Sequence, residues 1–200
     1  MLYYHHCRSL DSIAFGIVKA NPKYSDPYLK NAYLWLRKEV GFYPLFLSVG
    51  TSEEDLYMTG YPNQWARIIG TKIVGRRIDG THMHKNILRK RGEFPNDVLF
   101  SFEKVNGIFI DYGHWHIALN ASHKNYQMTD YEKKLIFKPS WPKSKWLRRA
   151  RDKPDSVQLV ISKLNLVNAK RIYVRNSKTK KLLENMGFED IEVKRMPVRN

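Results

Sequence analysis

The chain of 200 residues has one cysteine, Cys7. A lone thiol excludes an internal disulfide and every zinc motif built on two cysteines. It suits a reducing compartment, so the chain is read as cytoplasmic. Acidic residues are also scarce, 19 against 35 Lys and Arg, for a net charge of +16. No apolar run reaches the roughly 18 residues of a membrane span, so no membrane partner is expected. His5-His6-Cys7-Arg8 interrupts any apolar region near the amino terminus, which excludes a signal-peptide pattern. The glycine-rich phosphate loops GxGxxG and GxxxxGKS/T are missing, as is the serine elbow GxSxG. A nucleotide, if bound, is held by another geometry.

Hydrophobic residues make up 42% of the chain and aromatics 13%, which is globular composition. One α+β domain over residues 1–200 is the simplest account. It opens with a short strand at Leu2-Tyr3-Tyr4, then His5-His6-Cys7-Arg8-Ser9 and a helical pattern of Leu10, Ile13 and Ala14 that Gly16 stops. Ser9 is placed to cap that turn. Tyr28, Leu29, Ala32, Tyr33, Leu36 and Val40 recur at helical spacing and predict a helix closed by Gly41. Residues 43–49 read as a buried strand, 51–55 as a helix start, and 67–78 as a strand or hairpin. Residues 94–102 and 107–120 predict two more strands. Residues 121–156 form an exposed basic segment. The last third predicts strands at 157–162, 170–175 and 190–196, with a helix at 177–186.

The charge points to nucleic acid, because phosphate neutralisation releases counterions. Between Lys133 and Lys153 lie nine cations, among them Lys143, Lys145, Arg148, Arg149 and Arg151, with Trp141 and Trp146 interleaved. Cations can track a phosphate backbone while an indole stacks on an unpaired base, which favours single strands. The same tryptophans are equally well explained as anchors that tie a solvated loop to the core.

The histidines fall into pairs, His5-His6, His82-x-His84 and His114-x-His116, with His123 alone. On a strand His114 and His116 share a face and reach one metal only if another pair meets them. Such patterns are common by chance, and no metal is assigned. Asp111 falls on the opposite face of that strand.

Read in order, the chain resembles the DarT-type DNA ADP-ribosyltransferases. Four segments carry the likeness: Leu2–Ile17; Ala32-Tyr33 followed by Arg37 on a helix; Tyr43–Leu47 with Leu56-Tyr57; and Val157–Val160 with Ile172-Tyr173-Val174 and the closing helix. The resemblance implies a split, mixed or antiparallel sheet with flanking helices, and NAD in a cleft. It implies transfer of ADP-ribose to a base in single-stranded DNA. His5, His6, Ser9 and Tyr33 would contact the cofactor, and Arg37 would be the helix arginine. The first strand would lie beside carboxyl-terminal strands, with His5 or His6, Arg37 and Gln158 converging on the cleft. Gln158 stands at or beside the family's catalytic glutamate. An amide supplies no negative charge to an oxocarbenium-like transition state, so the transferase activity is expected to be weakened or lost.

Residues Arg171–Phe188 resemble the end of GNAT acetyltransferases, although the pyrophosphate loop of that family is missing from residues 135–165. Two alternatives therefore stay open: a GNAT-like acyltransferase, and a basic inhibitor or decoy that binds nucleic acid or a protein without catalysis.

Overall fold

Residues 45–50, 98–102 and 157–161 are apolar with little alternation, the pattern of strands covered on both faces. The structure, a computed structural model, describes residues 1–7, 10, 13–20, 30–50, 98–121, 127–153, 156–174 and 176–193. Its elements are β1 (Leu2–Cys7), β2 (Ile17–Lys19), α1 (Lys30–Val40), β3 (Leu45–Gly50), β4 (Val98–Phe102), β5 (Ile108–Asp111), α2 (Tyr112–Ala121), α3 (Asp130–Phe137), α4 (Lys143–Asp152), β6 (Val157–Ile161), β7 (Lys163–Asn165), a 3-10 turn (Leu166–Asn168), β8 (Arg171–Val174), α5 (Ser177–Asn185) and β9 (Ile191–Val193).

Among the described residues, seven strands form one sheet in the order β5-β6-β3-β1-β4-β8-β9. Every neighbouring pair is antiparallel except β8 and β9, which run parallel. The α5 crossover supplies the long connection that a parallel pair needs. β2 and β7 form a separate two-stranded ribbon. The chain is thus a mixed α+β fold.

Strand alternation sorts the core into two faces. On the first face Leu47, Phe100, Leu159 and Val174 meet Trp146 and Ala150 of α4 and Leu183 of α5. On the second, Ile110 and Val160 meet Leu36 of α1, Trp115 and Ala118 of α2 and Ile136 of α3. Burying each of the larger side chains contributes about 1.5–3 kcal/mol. A small cluster of Leu2, Tyr4, Leu99 and Tyr173 completes the second face.

Several expectations are met. The helix ending at Gly41 is α1, and Gly41 takes φ +81 while its amide donates to the Arg37 carbonyl. The Ile13 and Ala14 amides donate to the Leu10 carbonyl, and Gly16, at φ +64, donates to that of Ile13. Three expectations are corrected. β1 pairs with β3 and β4, so each carboxyl-terminal neighbour, β6 or β8, is one strand removed. The predicted strand 107–120 ends at Asp111 and continues as helix α2. Asp111 causes the change, because its Oδ1 accepts the His114 amide at 3.1 Å and caps the helix. His114 and His116 consequently lie on a helix, where positions two apart do not share a face. The basic segment carries two helices, α3 and α4, which take up half of residues 121–156. The expected elements at 51–55 and 67–78, with Ser9, His82, His84 and His123, lie outside the described residues.

Candidate functional site

A row of polar residues crosses the buried second face. Antiparallel register sets Gln158 of β6 opposite Ser48 of β3, Ser48 opposite Tyr4 of β1, and Tyr4 opposite Ser101 of β4. Gln158 is 4% exposed, and Ser48, Tyr4 and Ser101 are buried beside it. Ser101 Oγ donates to the Arg171 carbonyl at 3.1 Å. Gln158 and Tyr4 are also engaged, as burial requires of polar groups.

Of the residues named for NAD, His5 lies on the other face of the sheet from this row. His5 follows the parity of Tyr3 and Cys7, which belong to the first-face core, whereas Gln158 lies on the second. His5 Nδ1 sits 3.3 Å from the Phe46 carbonyl, a strand neighbour. His6 stands opposite Leu99 in β4. Arg37 belongs to α1, on the same side of the sheet as Gln158, but is exposed. It donates to the Tyr43 hydroxyl at 2.6 Å and its guanidinium lies 4.0 Å from the centre of that ring. Tyr33 packs edge-on against Phe46 and Trp115, with centroids 5.7 and 6.0 Å away. Burial, and after it the neighbouring Tyr112, raises the Tyr33 hydroxyl above its ordinary pKa. It serves as core packing. No step through NAD is derived from these residues.

The basic tract divides in two. On the inner side of α4, Trp146 is 4% exposed, stacks on Phe109 at 5.9 Å, and meets Trp141 at 5.1 Å. It is an anchor, with no free face for a base. Arg149 turns inward to Asp111, 3.7 Å away, and Lys138 reaches the same carboxylate oxygen at 3.5 Å. His114 Nδ1 lies 3.0 Å from the other oxygen. Asp111 is 1% exposed, so three partners and a helix cap gather on one buried charge. Sequence reading missed this knot because it assigned Asp111 to a strand interior.

The outer side of α4 presents Lys143, Lys145, Arg148 and Arg151 to solvent. Arg151 is shared with Asp152 at 3.2 Å. Lys145, Arg148 and Arg151 line a shallow recess of about 560 Å³ beside Met1 and Pro142, and among the described residues no acidic one lines it. Trp141 is half-buried at the edge, with Lys138 and Lys145 at 5.0 and 4.5 Å from its ring centre.

No known family model, curated protein or solved structure matches this chain. Among the described residues no group of His, Cys, Asp and Glu is arranged to hold a metal ion, and no helix is long and apolar enough to cross a membrane.

Proposed function

We propose that this protein binds nucleic acid through the outer face of α4, with single strands favoured. The carrying observation is the recess lined by Lys145, Arg148 and Arg151 with no carboxylate in its wall among the described residues. Cations on a rigid helix form an electrostatic footprint for phosphates, and the overall +16 charge speeds encounter. Trp141 is half-buried with Lys138 and Lys145 against its ring, so a base stacks on it only by displacing one of these lysines. The likeness to DNA ADP-ribosyltransferases supports the same class of partner. On this reading, NAD-dependent transfer is weakened or lost, since Gln158 is neutral and buried and His5 faces away from it.

The test is fluorescence anisotropy with labelled single-stranded and duplex oligonucleotides across a salt series. Engaging about four phosphates of a single strand gives a log-affinity slope near −3 against log salt. Changing Lys143, Lys145 and Arg148 together to Ala flattens that slope. Trp141→Ala weakens single-strand binding more than duplex binding. Undetectable binding at low salt refutes the proposal.

A further inference from the structure

A groove of about 550 Å³ lies at the other end of the sheet, where the turn 13–16, the 3-10 turn and the α5–β9 connection meet. Its floor is core, with Ile13, Leu166 and Ile172 all buried. Its rim is apolar and open: Phe15 is 86% exposed and Val167 75%, with Met186 also exposed. Exposed apolar groups clustered in a concave site mark a binding surface, whereas scattered ones do not.

Two further observations identify the occupant. The charged side chains that line the groove among the described residues are Glu189 and Asp190. Neither forms an ion pair among those residues, in a chain where cations outnumber acids 35 to 19. Local negative charge in a positive protein attracts cations and repels phosphates, so nucleic acid and anionic membrane surfaces are disfavoured there. The walls are also held open by backbone geometry. Gly16, Gly187 and Asp190 have φ of +64, +86 and +53. Bonds from Leu166 N to Gly16 O at 2.7 Å and from Ile172 N to Asp190 O at 3.0 Å fix two of these turns. Asp190 takes the left-handed conformation that aspartate adopts more readily than most residues, as a turn requires.

We infer that this groove docks a segment of a partner protein in which apolar side chains are flanked by lysine or arginine. The apolar side chains enter between Phe15, Val167 and Met186, and the flanking cations pair with Glu189 and Asp190. The inference does not depend on the nucleic-acid reading, since it uses other residues at the opposite end of the sheet. Residues 194–200 of this chain, Lys-Arg-Met-Pro-Val-Arg-Asn, have similar chemistry. They follow β9 at Val193, whereas the groove lies at the Ile191 end of that strand.

The test is anisotropy with labelled synthetic peptides carrying paired leucines flanked by lysines, by glutamates, or by serines. The lysine-flanked peptide binds and the glutamate-flanked one does not. Phe15→Ala, and separately Glu189→Lys, weakens binding roughly tenfold or more. Lys143→Ala leaves it unchanged. The melting temperature of each variant is measured alongside, and Phe15 is exposed enough that its truncation leaves the fold intact. Equal binding of the three peptides overturns the inference, as does binding of none. Lysine-peptide binding that appears only after deletion of residues 194–200 would make the chain's own end the occupant. Self-association abolished by Phe15→Ala would make it a second copy.

Discussion

Asp111 is the most heavily engaged buried charge among the described residues, and its removal is calculable. Oδ1 caps α2 through the His114 amide at 3.1 Å, and Oδ2 faces Lys138 and Arg149 at 3.5 and 3.7 Å. Breaking a buried pair by removing one partner costs about 3–5 kcal/mol when the other is left buried. Here the cations are not deeply buried: the Lys138 side chain is 15% exposed and that of Arg149 33%. Both can recover part of their hydration, so Asp111→Asn is expected to cost about 2–3 kcal/mol, the lower part of that range. Asn still caps a helix whereas Ala does not, so Asp111→Ala loses about 1 kcal/mol more. For a chain of this size, 1 kcal/mol shifts the melting temperature by about 2–4 °C. Urea titration followed by tryptophan fluorescence reads these differences, since Trp115 and Trp146 are buried. In the Asp111→Asn background, Arg149→Met should cost less than it does alone, because the pair is already broken. An Asn variant within about 0.5 kcal/mol of the parent, the range of an ordinary surface change, refutes the role assigned to Asp111.

Gly107→Ala places a Cβ 2.6 Å from the Val160 carbonyl and 2.6 Å from Ile161 Cγ2, and the backbone atom cannot yield. Thermal melting should show a loss of about 1–3 kcal/mol, the cost of overpacking. Thr129→Ala removes the capping box with Glu132 at the start of α3 and should cost about 1 kcal/mol in the same assay. Burial pushes the Cys7 thiol up to about 12 from 9.0. Native protein should therefore resist iodoacetamide at pH 8 and react quickly in urea. Because the raised value belongs to the folded state, the contribution of Cys7 to stability is complete below pH 9.0 and lost as pH rises towards 12. Gln158→Glu buries a carboxyl between Ser48 and Ile110. Burial favours its neutral form, so the variant should lose stability as pH rises above about 4.3, the ordinary glutamate value. With labelled NAD and single-stranded DNA, the natural protein should show little transfer; strong transfer would overturn the reading of Gln158.

Much of the framework was legible because its signals are local. Gly41 ends α1, and Asn176 starts α5 by accepting the Thr179 amide at 2.8 Å. β3 and β6 read as apolar runs because both faces of each are covered. The stretch Ile108–Ala121 was misread because its aromatic and β-branched residues favour strands, while the cap that starts the helix is one aspartate. α4 was invisible to periodicity, because only Trp146 and Ala150 turn fully inward and the other positions are mostly charged. The polar row on the second face depends on strand register across β6, β3, β1 and β4, which are distant in sequence. The Asp111 knot likewise draws Lys138 and Arg149 from other helices. No spacing rule reports such meetings.

The sheet also sets how the two proposed surfaces influence one another. α4 rests on β3 and β6, and α5, beside the groove, rests on β8 and β9. From β3 to β8 there are three strand steps, and from β6 to β9 five. At about 4.8 Å per step this is a separation of roughly 14–24 Å. The Debye length at physiological ionic strength is about 8 Å, so direct charge coupling between the surfaces is largely screened. Coupling through the protein would need a two-state element between them. What lies between is β1 and β4, interior strands with the two-sided cover of a close-packed core. An oligonucleotide on α4 should therefore leave peptide affinity at the groove unchanged at physiological salt. At low salt, where screening reaches about 30 Å, bound phosphates lower the positive potential that repels a lysine-flanked peptide. Peptide affinity should then rise when the oligonucleotide is present. A coupling of equal size at both salt concentrations would mean that the sheet itself transmits the signal, against the rigid arrangement argued here.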